Sequence, residues 1–280
     1  MARFAQYQRN ERCGSTGVLC GSLGQRKREP AMTVKNGLVW YWDLDSADAA
    51  VVDQHSGLSL SRVGTTTTVT GGAPDGGNCI SVGNATGKYR NSSVAKTINY
   101  DAGFSVNVWA FSTADSSIGN WLVSHRNDAS LLPNNHYFQM VARLFDNTEF
   151  GGVAASAGST YRNAIAGPAL AQNQWHMFTL IDDGTTTFFY RNAALAAYSS
   201  TALDSRDTGS AAFSLGGESW VASVNAGTNH RGQIAMAGVW SVPLSSESIT
   251  WLYNGGAGRR YAALTRGGSR RRRYSGRAGL

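Results

Sequence analysis

The stretch Arg231–Gly256 constrains this chain more than any other, because it reads as one strand running into one short helix. From Ile234 to Trp240 nearly every position is apolar, the pattern of a strand covered on both faces. Pro243 cannot donate to a ladder, so the strand is expected to stop before it. Ser245 can cap a helix, Glu247 falls in the first turn where the helix dipole favours an acid, and Ile249, Leu252 and Tyr253 form an i, i+3, i+4 apolar face. Asn254-Gly255-Gly256 supplies residues that tolerate the left-handed conformation of a helix end.

The rest of the chain reads as strands and turns. Leu38, Trp40, Trp42 and Leu44 share one face by alternation, and Phe104–Phe111 reads as a central strand. Further candidates are Leu58–Val63, Thr65–Thr70, Cys79–Val82, Val94–Asn99, Trp121–His125, His136–Ala142, Glu149–Ala154 and Ala211–Leu215. Trp175–Ile181 and Thr185–Arg191 flank Asp182-Asp183-Gly184, a hairpin in which Gly184 supplies a positive φ. About a dozen short strands are too many for one flat sheet. They predict an all-β, two-sheet antiparallel jelly-roll sandwich with one short C-terminal helix.

The closing residues Leu244, Ser245, Glu247, Ile249, Leu252, Tyr253, Asn254 and Gly256 resemble the ending of laminin-G-like, concanavalin A-like domains, with the Glu–Ile spacing one residue looser. Three more segments match in the expected order: Gly37–Leu44, Phe104–Phe111, and Asn173–Leu180 with its hairpin to Asn192. The resemblance covers 37–258 and implies the lectin–glucanase sandwich. Within that family, the Gly-Gln-Ile-Ala strand and the Leu-Tyr-Asn-Gly-Gly-Ala-Gly-Arg ending most resemble bacteriophage particle proteins.

Charge divides the chain into three. Residues 1–36 lack apolar periodicity, and the seven Lys/Arg against two Glu over 1–37 make this end basic. They read as a flexible arm, of which 1–31 is either a docking element or an upstream extension before Met32. Residues 37–258 form one expected domain, and 38–258 carry ten basic and sixteen acidic residues. Residues 259–280 form an expected Arg-rich tail with eight Arg and no acid: Arg259, Arg260, Arg266, Arg270, Arg271, Arg272, Arg273 and Arg277. No apolar run approaches the ~20 residues of a membrane span, and the first 31 residues lack the apolar core of a signal peptide. Cys13, Cys20 and Cys79 do not make a disulfide framework, and Cys79 is expected to be buried.

The chemistry-bearing residues narrow the function. Family members that cleave β-glucans carry a Glu-x-Asp-x-x-Glu cluster on one strand, whereas none of Glu149, Glu218 and Glu247 has an Asp or Glu within four positions on a strand. No catalytic residue is assigned, and a glycoside hydrolase-like enzyme is the remote alternative. Calcium, held by many laminin-G-like domains, is not favoured: the position expected to carry an Asp in the closing strand is Ala235. No metal or other cofactor is assigned. Trp121, Tyr137, Tyr161 and Trp220 lie in polar or loop-like sequence and are the candidate sugar-stacking residues.

The expectation is therefore a non-enzymatic structural or attachment module on a bacteriophage virion surface, as a head-decoration or tail-associated protein docking through its basic ends. Its partners would be other virion or shell proteins, further copies of itself, or cell-surface glycans. Nucleic acid is not expected, because the body offers no basic groove to continue a phosphate contact. A carbohydrate-binding lectin module is the alternative.

Overall fold

Short strands that are apolar on one face must bury that face against a second layer, and two sheets do this here. The computed structural model describes residues 34–95, 98–113, 120–126, 136–143, 150–155, 161–166, 171–202, 210–219, 221–225 and 228–265. Sixteen strands are formed among these residues. They are β1 (Leu38–Trp42), β2 (Ala50–Val52), β3 (Ser59–Gly64), β4 (Thr67–Val69), β5 (Cys79–Asn84), β6 (Gly87–Val94), β7 (Phe104–Ser112) and β8 (Asn120–Arg126). The second half holds β9 (His136–Arg143), β10 (Phe150–Ala155), β11 (Tyr161–Ala166), β12 (Trp175–Asp182), β13 (Thr187–Arg191), β14 (Ala194–Ser199), β15 (Ala211–Leu215) and β16 (Arg231–Trp240). Two α-helices follow among the described residues, α1 (Ser246–Tyr253) and α2 (Tyr261–Thr265).

The strands pair antiparallel in two eight-stranded sheets, as the sandwich expectation requires. The first runs β14-β13-β12-β7-β16-β5-β4, with β1 also on β16; the second runs β11-β10-β9-β8-β15-β6-β3-β2. β16 is the hub of the first sheet. Gly232–Ala235 and Gly238–Trp240 pair with β7 on either side of a bulge, while Arg231–Ile234 pair with β5 and Ala237–Trp240 pair with β1. Between the sheets lies an aromatic core in which Trp42 stacks on Phe213 and Phe104 on Phe138, both with ring centroids 5.4 Å apart. The outer face of the first sheet is covered as well: Trp109, Met177, Ile181, Ala235 and Trp240 share a second cluster with Ile249, Leu252 and Leu264 from the helices.

Several boundaries differ from the sequence reading. The strand expected at Val94–Asn99 is instead β6, whose Lys88, Arg90, Asn91, Ser92 and Ser93 disguise it as a loop. β2, β11 and β14 were not anticipated, being short or poor in β-branched residues. At the N-terminal side, Val34 is buried and its carbonyl accepts the Trp240 indole N–H at 2.7 Å, so residues 34–36 belong to the fold and not to an arm. At the other end the fold runs past 258 through α2, which buries Leu264. Cys79 is buried, whereas Cys13 and Cys20 lie outside the described residues. The hairpin turn falls at Asp183–Thr186, with Gly184 at φ +90° and the Asp183 carboxylate accepting from the Thr185 and Thr186 amides.

Candidate functional site

Cross-strand partners in an antiparallel sheet point to the same face. In the second sheet that rule lines up Ser61, Arg90, Ser214, Ser124 and Gln139 on β3, β6, β15, β8 and β9. The neighbouring row, Tyr89, Leu215, Val123 and Met140, turns inward to the core. The outward row is thus polar across the middle of the sheet, with Lys88 and Arg126 two residues along their strands on the same side.

The segment after β15 crosses this face and is fastened to it. Lys88 Nζ donates to the carbonyls of Glu218 and Val221 at 2.8 and 2.7 Å, and Arg90 Nε donates to that of Ser219 at 2.5 Å. Ser214 Oγ donates to the Gly217 carbonyl, and Ser219 Oγ to that of Arg126 at 2.8 Å. Ser124 Oγ and Ser219 Oγ lie 3.0 Å apart. Further on, the Trp121 amide donates to the Thr228 carbonyl at 3.0 Å. Burial sets the electrostatics. The Lys88 ammonium, wholly covered, is pulled down to about 8 by desolvation and by the nearby Arg90 charge, against the opposing pull of Glu218. Burial raises the Glu218 carboxyl, and the Thr228 and Asn225 side chains with the charges of Lys88 and Arg126 oppose the rise. Burial also holds His230 neutral, lowering it to about 4.

Two amides in this network are left over. Gln139 and Asn229 are 5% and 1% exposed, yet Gln139 Nε2 and both Asn229 amide atoms have no hydrogen-bond partner among the described residues. Asn229 sits beside Gly217, where an added Cβ would fall 2.4 Å from Asn229 Oδ1 and 2.9 Å from Lys88 Cδ. Buried amides without partners cost ~1–3 kcal/mol each. A primary amide both donates and accepts, so it fits hydroxyl groups, which do the same.

Of the sugar-stacking residues expected from sequence, Trp121 alone has a described side chain. Trp121 is on β8 and 9% exposed, with the Thr228 and Asn229 backbone against it. Tyr137 is on β9 and Tyr161 opens β11, their side chains lying outside the described residues. Trp220 also lies outside them, between Ser219 and Val221, whose carbonyls are the ones held by Arg90 and Lys88. Sequence reasoning missed Lys88, Ser124, Gln139, Ser214 and Asn229. A signal existed for two of them, since Gln139 and Ser214 each interrupt an apolar run at one position.

Two of the expected tail arginines are parts of the fold. The Arg259 guanidinium lies 4.1 Å over the Trp251 ring and its Nε donates to the Trp251 carbonyl at 2.7 Å. Arg260 grips Asp75 through Nε and Nη2 at 2.8 and 2.9 Å, and donates to the carbonyls of Asn78 and Asp43 at 2.7 and 3.0 Å. Arg266, Arg270, Arg271, Arg272, Arg273 and Arg277 lie outside the described residues.

The same contacts bear on calcium. Asp43 Oδ1 accepts the Tyr261 amide at 2.8 Å, Ala235 is buried, and no group of three or more His, Cys, Asp or Glu assembles for a metal among the described residues. These residues do not fit a calcium site. Nor do the described glutamates pair, because Glu218 is on the outer face of the second sheet and Glu247 is in α1, which covers the first. Glu149 is outside the described residues.

Comparison with known proteins agrees with this architecture. Domain 4 of AbnA, an extracellular arabinanase of Geobacillus stearothermophilus solved with arabinotriose, superposes with a TM-score of 0.58 at 16% identity, covering 76% of this chain and 96% of that one. The receptor-binding domain of the botulinum neurotoxin C/D mosaic serotype gives 0.58 at 13% identity, covering 79% of this chain and 52% of that one. The binding domain of botulinum neurotoxin DC, solved in complex with SialylT, gives 0.58 at 12% identity with the same coverage. This chain thus spans about half the length of the toxin domains, and at such identities the likeness shows the fold. No curated protein sequence matches it. A laminin-G-type family model, described as the concanavalin A-like lectin/glucanases superfamily, matches residues 83–250, and the chain belongs to that superfamily.

Proposed function

We propose that this chain is a non-catalytic binding module that takes a carbohydrate on the outer face of its second sheet. The observation that carries the reading is a buried polar network in which Gln139 Nε2 and both Asn229 amide atoms, with the neighbouring Thr228 Oγ1 and His230 Nδ1, have no hydrogen-bond partner among the described residues. Neighbouring folds solved with arabinotriose and with SialylT support a sugar as the ligand class. The solved folds it resembles include receptor-binding domains, which supports a role in holding a ligand. Titrating the intact chain with arabinotriose, sialylated glycans and a wider glycan array tests this. Saturable binding that weakens about tenfold in Asn229→Ala is the expected result. An array with no signal above background removes the reading.

A finer proposal is that the module sits on the surface of a bacteriophage particle, in head decoration or at the tail, assembled in the host cytoplasm. Its support is the resemblance of the closing strand and helix to phage particle proteins, together with the Arg-rich terminal residues against an acidic body. Those arginines would dock onto shell proteins or neighbouring copies. Their docking would weaken with salt, since exposed ion pairs are screened. Purified particles that lack the chain would exclude this placement and leave the sugar reading untouched.

A further inference from the structure

The segment that follows β15 lies over the amides a ligand would have to reach. Gly217 rests against Asn229, since a Cβ there would fall 2.4 Å from Asn229 Oδ1 and 2.8 Å from its Cγ. Ser219 lies against Ser124, the cross-strand partner of Gln139. With this segment in place both amide side chains are buried, and a solute has no way to touch them.

The segment is held differently from the strands around it. Backbone bonds fix its two ends. The Gly216 amide donates to the Leu122 carbonyl at 2.8 Å, and the Gly216 carbonyl accepts the His230 amide at 3.0 Å. At the far end the Asn225 carbonyl accepts the Thr228 and Asn229 amides at 3.1 and 2.9 Å. Between these ends, residues 217–219 and 221–224 form no backbone–backbone hydrogen bond among the described residues. Nor do they add a side chain to either apolar cluster. Side chains of the sheet hold them instead, by donating to their carbonyls: Lys88 to Glu218 and Val221, Arg90 to Ser219, and Ser214 to Gly217. A carbonyl released by a side chain is taken up by water, so lifting the segment breaks no ladder and pulls nothing from a core.

Lys88 fastens it at two points. Its buried ammonium bridges the two carbonyls at 2.8 and 2.7 Å, and its stem runs under Gly217, where a Cβ would meet Lys88 Cδ at 2.9 Å. A charged donor makes stronger bonds than a neutral one.

We propose that residues 217–219 and 221–224 form a strap that shuts the binding face, with Lys88 as the positioning residue that holds it closed. The strap lifts about its fixed ends at Gly216 and Asn225, admits a ligand to Gln139 and Asn229, and settles back over it. The inference rests on the reading that this face binds a ligand, and it adds that entry occurs through the open form. Association is then slowed by the fraction of chains that are closed, and loosening the strap speeds it.

Native-state hydrogen exchange of the intact chain tests the strap without any ligand. Residues 216–225 should exchange through local opening, ahead of β12. In Lys88→Met, which keeps an apolar stem and removes the ammonium, they should exchange about tenfold faster while β12 is unchanged. The second readout is the association rate constant of arabinotriose from NMR line shapes, expected to rise about tenfold in Lys88→Met. A residue that only supports the fold would not speed binding. The proposal is overturned if strap and β12 lose protection equally, if the strap exchanges only with global unfolding, or if its exchange is the same in the variant. It is also overturned if arabinotriose binds the variant no faster than the unaltered chain. If arabinotriose binds neither form, that result counts against the sugar reading, and the exchange readout decides the strap by itself. Should Lys88→Met not fold, Gly217→Ala replaces it: the added methyl presses on Asn229 and the Lys88 stem, and strap exchange that stays unchanged there overturns the proposal.

Discussion

On the first sheet the outward side chains Trp109, Met177, Ile181 and Trp240 are capped by Ile249, Leu252 and Leu264, whereas on the second the outward row is Arg90, Ser214, Ser124 and Gln139 under a loop pinned by hydrogen bonds. Both faces are buried, but by different physics. Apolar packing on the first face is non-directional and stabilises in proportion to the area removed from water. The second face depends on matched donors and acceptors, and an unmatched one there is a cost that a ligand can relieve. Stability should therefore reside in the first face and recognition in the second.

Acid should separate the two most strongly. His125 on β8 and His230 just before β16 are held neutral by burial, at about 3 and about 4, against an ordinary value of 6.5. Below pH 6.5 the unfolded chain binds protons that the fold excludes, so stability is full above that value and falls as pH drops toward 4. Each tenfold difference in proton affinity between the folded and unfolded chain is worth about 1.4 kcal/mol, so at pH 4 His230 alone should remove roughly 3 kcal/mol. Hydrogen exchange at pH 5 should show β8, β15 and the Arg231–Gln233 end of β16, against which His230 packs, losing protection before β12 and α1. The reverse order would break the comparison.

Truncation is next in size. Leu252→Ala on the capped face should cost ~2–5 kcal/mol in denaturant unfolding. Gln139→Ala on the polar face deletes an unpartnered amide and should change stability by no more than ~1 kcal/mol either way. Equal losses would mean that the two faces do not differ as described.

Gly184→Val probes a point where the sheets meet. Arg162, on β11 of the second sheet, pairs with buried Asp182 on β12 of the first at 3.0 Å and donates to the Gly184 carbonyl at 3.3 Å. A Cβ at position 184 would lie 2.7 Å from the Asp101 carbonyl oxygen, on a backbone at φ +90°. The substitution should cost ~1–3 kcal/mol, read as a lower melting temperature. An unchanged melting temperature would show that the turn tolerates a side chain there.

The smallest effect is expected from the end of the chain. Because Leu264 is buried and Arg259 and Arg260 are anchored, removing residues 262–280 should destabilise the first face. Removing only 266–280 should leave the melting temperature within ~0.5 kcal/mol of the full chain in stability terms. Any salt-sensitive attachment should be lost with it. A large drop in melting temperature would place those residues in the fold.

How far the sequence was legible follows the range of the interactions. The closing element was readable because it is local. Ser245 caps α1 through a bond from the Ser248 amide at 3.3 Å, Asn254 ends it in the left-handed conformation at φ 50°, and Pro243 lies beyond β16. β6 was not readable because Lys88 is buried only by carbonyls 130 and more residues away. Arg260 looked like a tail residue for the same reason, its partners Asp75, Asn78 and Asp43 lying more than 180 residues earlier. Trp121, an aromatic residue in polar sequence, is buried by the Thr228 and Asn229 backbone, a contact more than 100 residues away in the chain. The single polar interruptions in β9 and β15 are visible in the sequence, but only the register shows that they form a row with Ser124 of β8.

The central claim, that recognition belongs to the second sheet's outer face, is tested most directly by a hydrogen-exchange footprint of the intact chain with and without a saturating glycan from the array. Slowed exchange confined to β8, β9, β15 and residues 216–230, and absent in Asn229→Ala, is the predicted result. Protection centred on α1 and the first sheet, or protection that persists in Asn229→Ala, would contradict it.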